Sequence, residues 1–169
     1  GRNPDILPLE LNEIPKDEFN LIYTGTLQRT ISTGAALQAS KKIQDPLLNE
    51  INYGSAEGLL YPELAEKFPD LVAAWELKED PKFPGGGESQ QDVLERLEKF
   101  MAQIKPENKT AIVTHNVVIR ALIGKALDLP TYAWFKLNPG HVEKHNFRIF
   151  QNKLIPELSK EQRIRYKDI

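Results

Sequence analysis

The sequence predicts an α/β protein, a three-layer α/β/α sandwich around a mixed, mostly parallel central sheet, and three observations carry that expectation. Residues 19–42 and residues 110–129 each read as strand, polar turn and helix. A helical insert and an amphipathic helix lie between these two units, and a hairpin pattern follows the second.

At 169 residues the chain suits one domain with a substantial core. Its 22 basic and 24 acidic residues leave a net charge of -2 with no basic stripe, which argues against nucleic acid as a partner. The absence of cysteine removes disulfides, thiolate metal sites and a thiol nucleophile, and it suits a reducing cytoplasm. No apolar run approaches the ~20 residues a membrane-spanning helix needs, and the opening residues do not form a signal peptide. A soluble, cytoplasmic protein with no membrane partner is the expectation.

Taken in order, residues 1–19 contain Pro4, Pro8 and Pro15 and read as extended or looped, anchored by Leu7, Leu9 and Leu11. Residues 19–23 form the first strand, ended by Thr24-Gly25-Thr26. A helix follows over 27–42, with Ile31, Ala35 and Ala39 on successive turns and Thr26 as N-cap. Arg29 falls in its first turn, where a cation opposes the helix dipole unless an anion sits beside it. Residues 45–58 are irregular and carry Glu50 and Glu57. Residues 61–80 read as one or two short helices broken by Pro69, so that about 59–83 forms a lid-like insert within a single domain spanning 1–169.

Residues 83–89 are a loop, and Ser89 with Asp92 resembles a capping box opening an amphipathic helix to about Lys105. Residues 110–114 form a β-branched apolar run that reads as a strand buried on both faces. His115-Asn116 interrupts it, and apolar residues from Val118 to Leu129 then recur at helical spacing. Residues 146–150 and 153–155 flank Gln151-Asn152 as a hairpin at the sheet edge, and the charged stretch 159–169 is a short helix or a tail.

Ligands collect at the carboxyl ends of strands in open α/β sheets, beside the free N–H groups of the next helix, so His115 is the first catalytic candidate. Arg29 reaches the same edge from the other strand–helix unit. A nearby loop carboxyl would complete a set suited to phosphate esters: charge stabilisation, positioning, and a proton for the leaving oxygen. Other signals are weaker. Gly85-Gly86-Gly87 lacks the Lys-Ser/Thr of a P-loop. His141 and His145 have the spacing of a helical metal clasp, but Pro139-Gly140 before them and a strand after them oppose helical geometry. Trp75 and Trp134 suit packing in the core or lid.

Four stretches, in order, resemble the histidine phosphatase (phosphoglycerate mutase-like) superfamily. Residues 21–30 with Thr33, Ala35 and Ala36 resemble its Ser-x-Leu-x-Arg-Ala-x-x-Thr-Ala segment. Residues 48–58 resemble Glu-x-x-x-Gly-x-x-Glu-Gly, residues 84–89 Pro-x-Gly-Glu-Ser, and residues 113–120 Val-Ser-His-Gly-Gly-x-Ile-Arg. The resemblance implies a phosphoglycerate mutase-like fold and a phosphomonoester phosphatase using a phosphohistidine, without metal or cofactor. A phosphoglycerate mutase-like phosphotransferase is the less favoured activity, because the insert is short.

By the same resemblance Arg29 binds phosphate, His115 is the second active-site histidine and Glu50 protonates the leaving group. Thr24, Asn116 and Glu57 contact substrate, Thr24 standing for the family's serine and Asn116 for its glycine. The family's nucleophile lies in an Arg-His-Gly motif, and nothing in residues 1–20 matches it. The chain is therefore expected to begin just beyond that motif, leaving unpaired edges on the two strands that flank it. A catalytically inactive phosphate-binding module is the alternative expectation. The partner implied is a small phosphorylated substrate or phosphate itself, with a homo-oligomer left open.

Overall fold

The computed structural model describes residues 17–151, 153–167 and 169, so the loop expected over residues 1–16, with Leu7, Leu9 and Leu11, lies outside them. Strand β1 (Glu18–Thr24) is the middle of a three-stranded parallel sheet, between β2 (Gln38–Gln44) and β3 (Thr110–Val113). Thr24 lies opposite Gln44 on one side and Val113 on the other, so all three strands end at one edge. Alternation along β1 then divides the layers. Ile22 and Thr24 face helix α1 (Gln28–Ala36), which closes onto them at Gly34. Tyr23 faces helices α4 (Gln90–Met101) and α5 (Asn116–Ala126), meeting Phe100 edge-on with ring centroids 5.1 Å apart. The sheet thus carries helices on both faces, and the three layers match the expectation.

The larger core joins Val93, Leu97 and Phe100 of α4 to Val118, Ala121, Leu122 and Ile123 of α5. Each of the larger of these side chains, fully buried, contributes roughly 1.5–3 kcal/mol. Trp134, on a 3₁₀ turn over Thr131–Lys136, is packed against Gly124, and its indole N–H donates to the Leu129 carbonyl at 3.0 Å. The capping box at the start of α4 is present: Ser89 Oγ accepts from the Asp92 amide at 3.1 Å, and Asp92 Oδ2 accepts from the Ser89 amide at 2.8 Å. The insert holds α2 (Tyr61–Lys67) and α3 (Pro69–Glu76), parted at Pro69, with Trp75 edge-on to Phe83. Helix α6 (Lys160–Arg165) closes the chain, capped by Ser159. Among the described residues, no helix is long and apolar enough to cross a membrane.

Several expectations need correction. The helix expected over 27–42 stops at Ala36, and Gln38–Gln44 is β2. Ala39 and Ile43 are half-buried, each against a different core cluster, while Gln38, Ser40, Lys41, Lys42 and Gln44 stay exposed, so this edge strand carries little apolar signal and its lysines resist further pairing. Thr26 is not the N-cap of α1; Leu27 is, without a side-chain bond, because the Thr26 amide and hydroxyl are engaged by Asn49. Residues 45–58 contain 3₁₀ turns at Pro46–Leu48 and Gly54–Ala56.

Strand β3 is half-buried throughout rather than buried on both faces. Among the described residues it pairs only with β1, and its other edge borders a cavity of about 410 Å³. Strand β4 (Asn146–Phe150) forms the far wall of that cavity. It pairs antiparallel with β5 (Lys153–Glu157) alone, so the hairpin is a separate two-stranded sheet rather than the edge of the main one.

Candidate active site

His115 follows β3 after one residue, Thr114, and is the N-cap residue of α5, with only 5% of its surface exposed. Arg29, from the first turn of α1, donates through Nε to His115 Nδ1 at 3.1 Å. A guanidinium can only donate, so Nδ1 is the acceptor and the ring proton sits on Nε2. Nε2 is buried and has no hydrogen-bond partner among the described residues. Gly25 makes this seat: a Cβ there would lie 2.8 Å from Asn49 Oδ1, 3.1 Å from the Leu48 carbonyl and 3.3 Å from His115 Nε2. Burial first, then the positive charges of Arg29 and Arg96, push the imidazole down to about 4. At neutral pH the ring is uncharged, with one N–H to offer.

Glu50 reaches the same place from the segment after the first 3₁₀ turn. That turn is held by Asp45, whose carboxylate accepts from the Leu47 amide at 2.9 Å. Thr114 Oγ1 donates to the Leu48 carbonyl at 2.7 Å, which fastens the segment to the end of β3. Glu50 Oε1 accepts from the Ile51 amide at 3.1 Å and from Val117, in the first turn of α5, at 3.3 Å. Burial raises its pKa against those two bonds and the charges of Arg29 and Arg96. A carboxyl that resists ionisation beside an N–H donor and a guanidinium suits a proton donor.

Arg29, Glu50, His115 and Asn116 line one cavity of about 860 Å³, and His141 lies on its wall as well. Asn116 is exposed at the start of α5. Thr24 and Glu57 are not among the lining residues. The Thr24 hydroxyl is spent on the Gly25 carbonyl at 2.8 Å, and Glu57 is exposed at the end of a 3₁₀ turn. His145 turns away, its ring buried and 2.9 Å from the Tyr166 hydroxyl. Among the described residues, no three or more His, Asp or Glu side chains gather to hold a metal.

Sequence reasoning missed two residues here. Asn49 takes the Thr26 amide at 2.7 Å and gives a bond to the Thr26 hydroxyl at 2.8 Å, tying the loop after β1 to the Glu50 segment. Arg96 bears electrostatically on both Glu50 and His115 from α4. Only its spacing from Glu88, with which it pairs, could have marked it.

The sequence pattern of the Histidine phosphatase superfamily (branch 1) matches residues 11–154. The chain belongs to this superfamily. All four motif stretches fall inside the matched range. Among histidine phosphatase relatives it is similar to fructose-2,6-bisphosphatase of Saccharomyces cerevisiae, 32% identical over 117 residues, 67% of this chain and 25% of that protein. It is also similar to 6-phosphofructo-2-kinase/fructose-2,6-bisphosphatase of Arabidopsis thaliana, 34% identical over 113 residues, 64% of this chain and 15% of that one. The chain therefore spans a quarter or less of the length of these relatives. In fold it resembles Bacillus stearothermophilus YhfR, with a TM-score of 0.72 and 23% identity over 88% of this chain and 77% of that one. The alpha-ribazole phosphatase of Shigella flexneri also scores 0.72, at 21% identity over 90% of this chain and 79% of that one.

Proposed function

We propose that this chain binds and hydrolyses a small phosphate monoester, with Arg29 and His115 holding the phosphoryl oxygens and Glu50 as the acid. The contact between Arg29 and His115 carries the reading, because it puts a fixed cation and a neutral N–H donor at one strand edge beside a helix N-terminus. In the superfamily's chemistry a histidine would attack phosphorus, forming a P–N bond as the ester P–O bond breaks, and the departing alkoxide would take the Glu50 proton; water would then attack phosphorus, breaking the P–N bond and releasing phosphate. The chemistry of the superfamily calls for a histidine nucleophile.

Asn116 stands on the cavity wall as a contact for the ester, and the Thr24 hydroxyl ties down the Gly25 turn beneath it. The helices within 59–83 of this single domain serve as a lid, and the setting is the cytoplasm. Relatives named for fructose 2,6-bisphosphate make a phosphorylated sugar the first ester to try. A second reading is a phosphate-binding module without turnover: His145 is buried against Tyr166 and not placed for attack, which leaves His141 on the cavity wall as the other imidazole beside His115 among the described residues.

Calorimetric titration with inorganic phosphate and with orthovanadate tests the site; R29M and H115A are expected to weaken binding at least ~10-fold. Hydrolysis of an aryl phosphate then separates the two readings. Turnover that H115A removes supports the enzyme, and tight binding without turnover supports the module.

A further inference from the structure

We propose that Arg96 and Glu88 form a two-ended bracket that fixes residues 47–52, and with them the Glu50 carboxyl, in place beside His115. The proposal rests on the reading of Glu50 as proton donor and adds two positioning residues to it. Arg96 and Glu88 make a bidentate pair, Nε to Oε1 at 2.8 Å and Nη2 to Oε2 at 3.3 Å. The guanidinium is largely buried, its side chain 14% exposed, so this is not a solvated surface pair of the sort worth ~0–1 kcal/mol.

What remains of each group is spent on the same short segment. Arg96 Nη1 donates to the Leu47 carbonyl, three residues before Glu50. Glu88 Oε2 accepts from the Asn52 amide at 2.8 Å, two residues after it. The backbone continues the clamp, with the Glu88 amide donating to the Asn52 carbonyl at 2.9 Å and the Ser55 amide to the Pro84 carbonyl at 2.7 Å. Gly54, with φ of +53°, lies so close under the Pro84 carbonyl that no side chain fits between the two loops.

The glycine-rich loop is therefore a splint for the acid, not a phosphate cradle. Its cation also acts at a distance. A permanent positive charge near both groups favours the ionised form of Glu50 and the neutral form of His115. It thereby opposes the effect of burial on Glu50 and adds to it on His115.

Nuclear magnetic resonance on the ligand-free chain tests this without any turnover. In R96M, the titration midpoints of Glu50 and His115 both rise, and the Asn52 and Ile51 amides exchange with solvent roughly tenfold faster or more, while Leu122 and Ile123 in α5 keep their protection. R96K keeps the charge and so keeps the His115 midpoint, but loses the amide protection. E88Q, which retains Arg96, loosens the Asn52 amide alone. Unchanged midpoints together with unchanged exchange at Asn52 and Ile51 would overturn the proposal. Loosening spread evenly over β1 and α5 would overturn it too, since that marks a general structural prop. Because no phosphate is present, midpoints that move as stated in a chain that fails to bind phosphate leave the bracket standing and remove only the functional reading.

Discussion

Arg29 and His115, 86 positions apart in sequence, share one hydrogen bond of 3.1 Å in which the guanidinium dictates which ring nitrogen keeps its proton. The arginine thus both attracts an anion and presents the imidazole to it in donor form. Replacing Arg29 with methionine removes a cation from the neighbourhood of the ring. The His115 midpoint should rise from about 4, and affinity for orthovanadate should fall at least ~10-fold, a loss of about 1.4 kcal/mol. Proton-detected titration and calorimetry of R29M and R29K check both effects, with R29K keeping the charge but losing the planar fork.

The same ring sets an acid limit on stability. Its folded-state pKa lies below its ordinary value of 6.5, at about 4, so the unfolded chain takes up this proton first. The stability tied to a neutral His115 is complete above pH 6.5 and is lost as pH falls from there to about 4. Melting curves of H115N should therefore decline less steeply than wild type across that window, and the two should run parallel above it.

Glu50 has the opposite sign. Burial raises its folded-state pKa above the ordinary 4.5, so the stability tied to the protonated carboxyl is complete below pH 4.5 and is lost as pH rises from there through the raised value. E50Q should melt higher than wild type at neutral pH, with the gap closing on acidification, while any phosphatase turnover falls ~100-fold or more. A variant that melts lower at every pH would show the carboxylate to be a structural support.

Gly25 has no space for a methyl group. G25A would press on the Leu48 carbonyl, which is backbone and cannot swing aside, and on the rim of the His115 ring. The expected cost is about 1–3 kcal/mol of stability by denaturant titration, with weakened phosphate binding in the fraction that folds.

Gly124 is the counterpart in the core. An added methyl would run into the Trp134 indole and break its bond to the Leu129 carbonyl. G124A should lose about 1–3 kcal/mol and shift the near-ultraviolet dichroism of tryptophan, with the His115 titration unmoved.

What could be read from the chain followed from where each residue's environment is set. The amphipathic pattern of α4 and its Ser89–Asp92 cap are local, and both were legible. So was the meeting of Arg29 and His115, because two strand–turn–helix units converge on one edge, whereas Glu50, on an irregular segment, was marked by the family resemblance alone. Strand β2 was not, since five of its seven residues are polar and exposed, Lys41 and Lys42 among them, and the ladder to β1 holds the segment extended. Thr26 had the chemistry of a cap but was taken by Asn49, 23 positions away. Arg96 looked like an ordinary cation on an amphipathic helix, and its work on Leu47 and Glu88 is a tertiary fact.

The depressed imidazole has one more consequence, for how such a pocket would feel a change in the cell's acidity. A phosphate monoester loses its second proton at about pH 6. His115 has already settled its charge well below that point. Any swing between mild acid and neutrality would alter the visiting ester, from monoanion to dianion, while the ring that greets it stays the same.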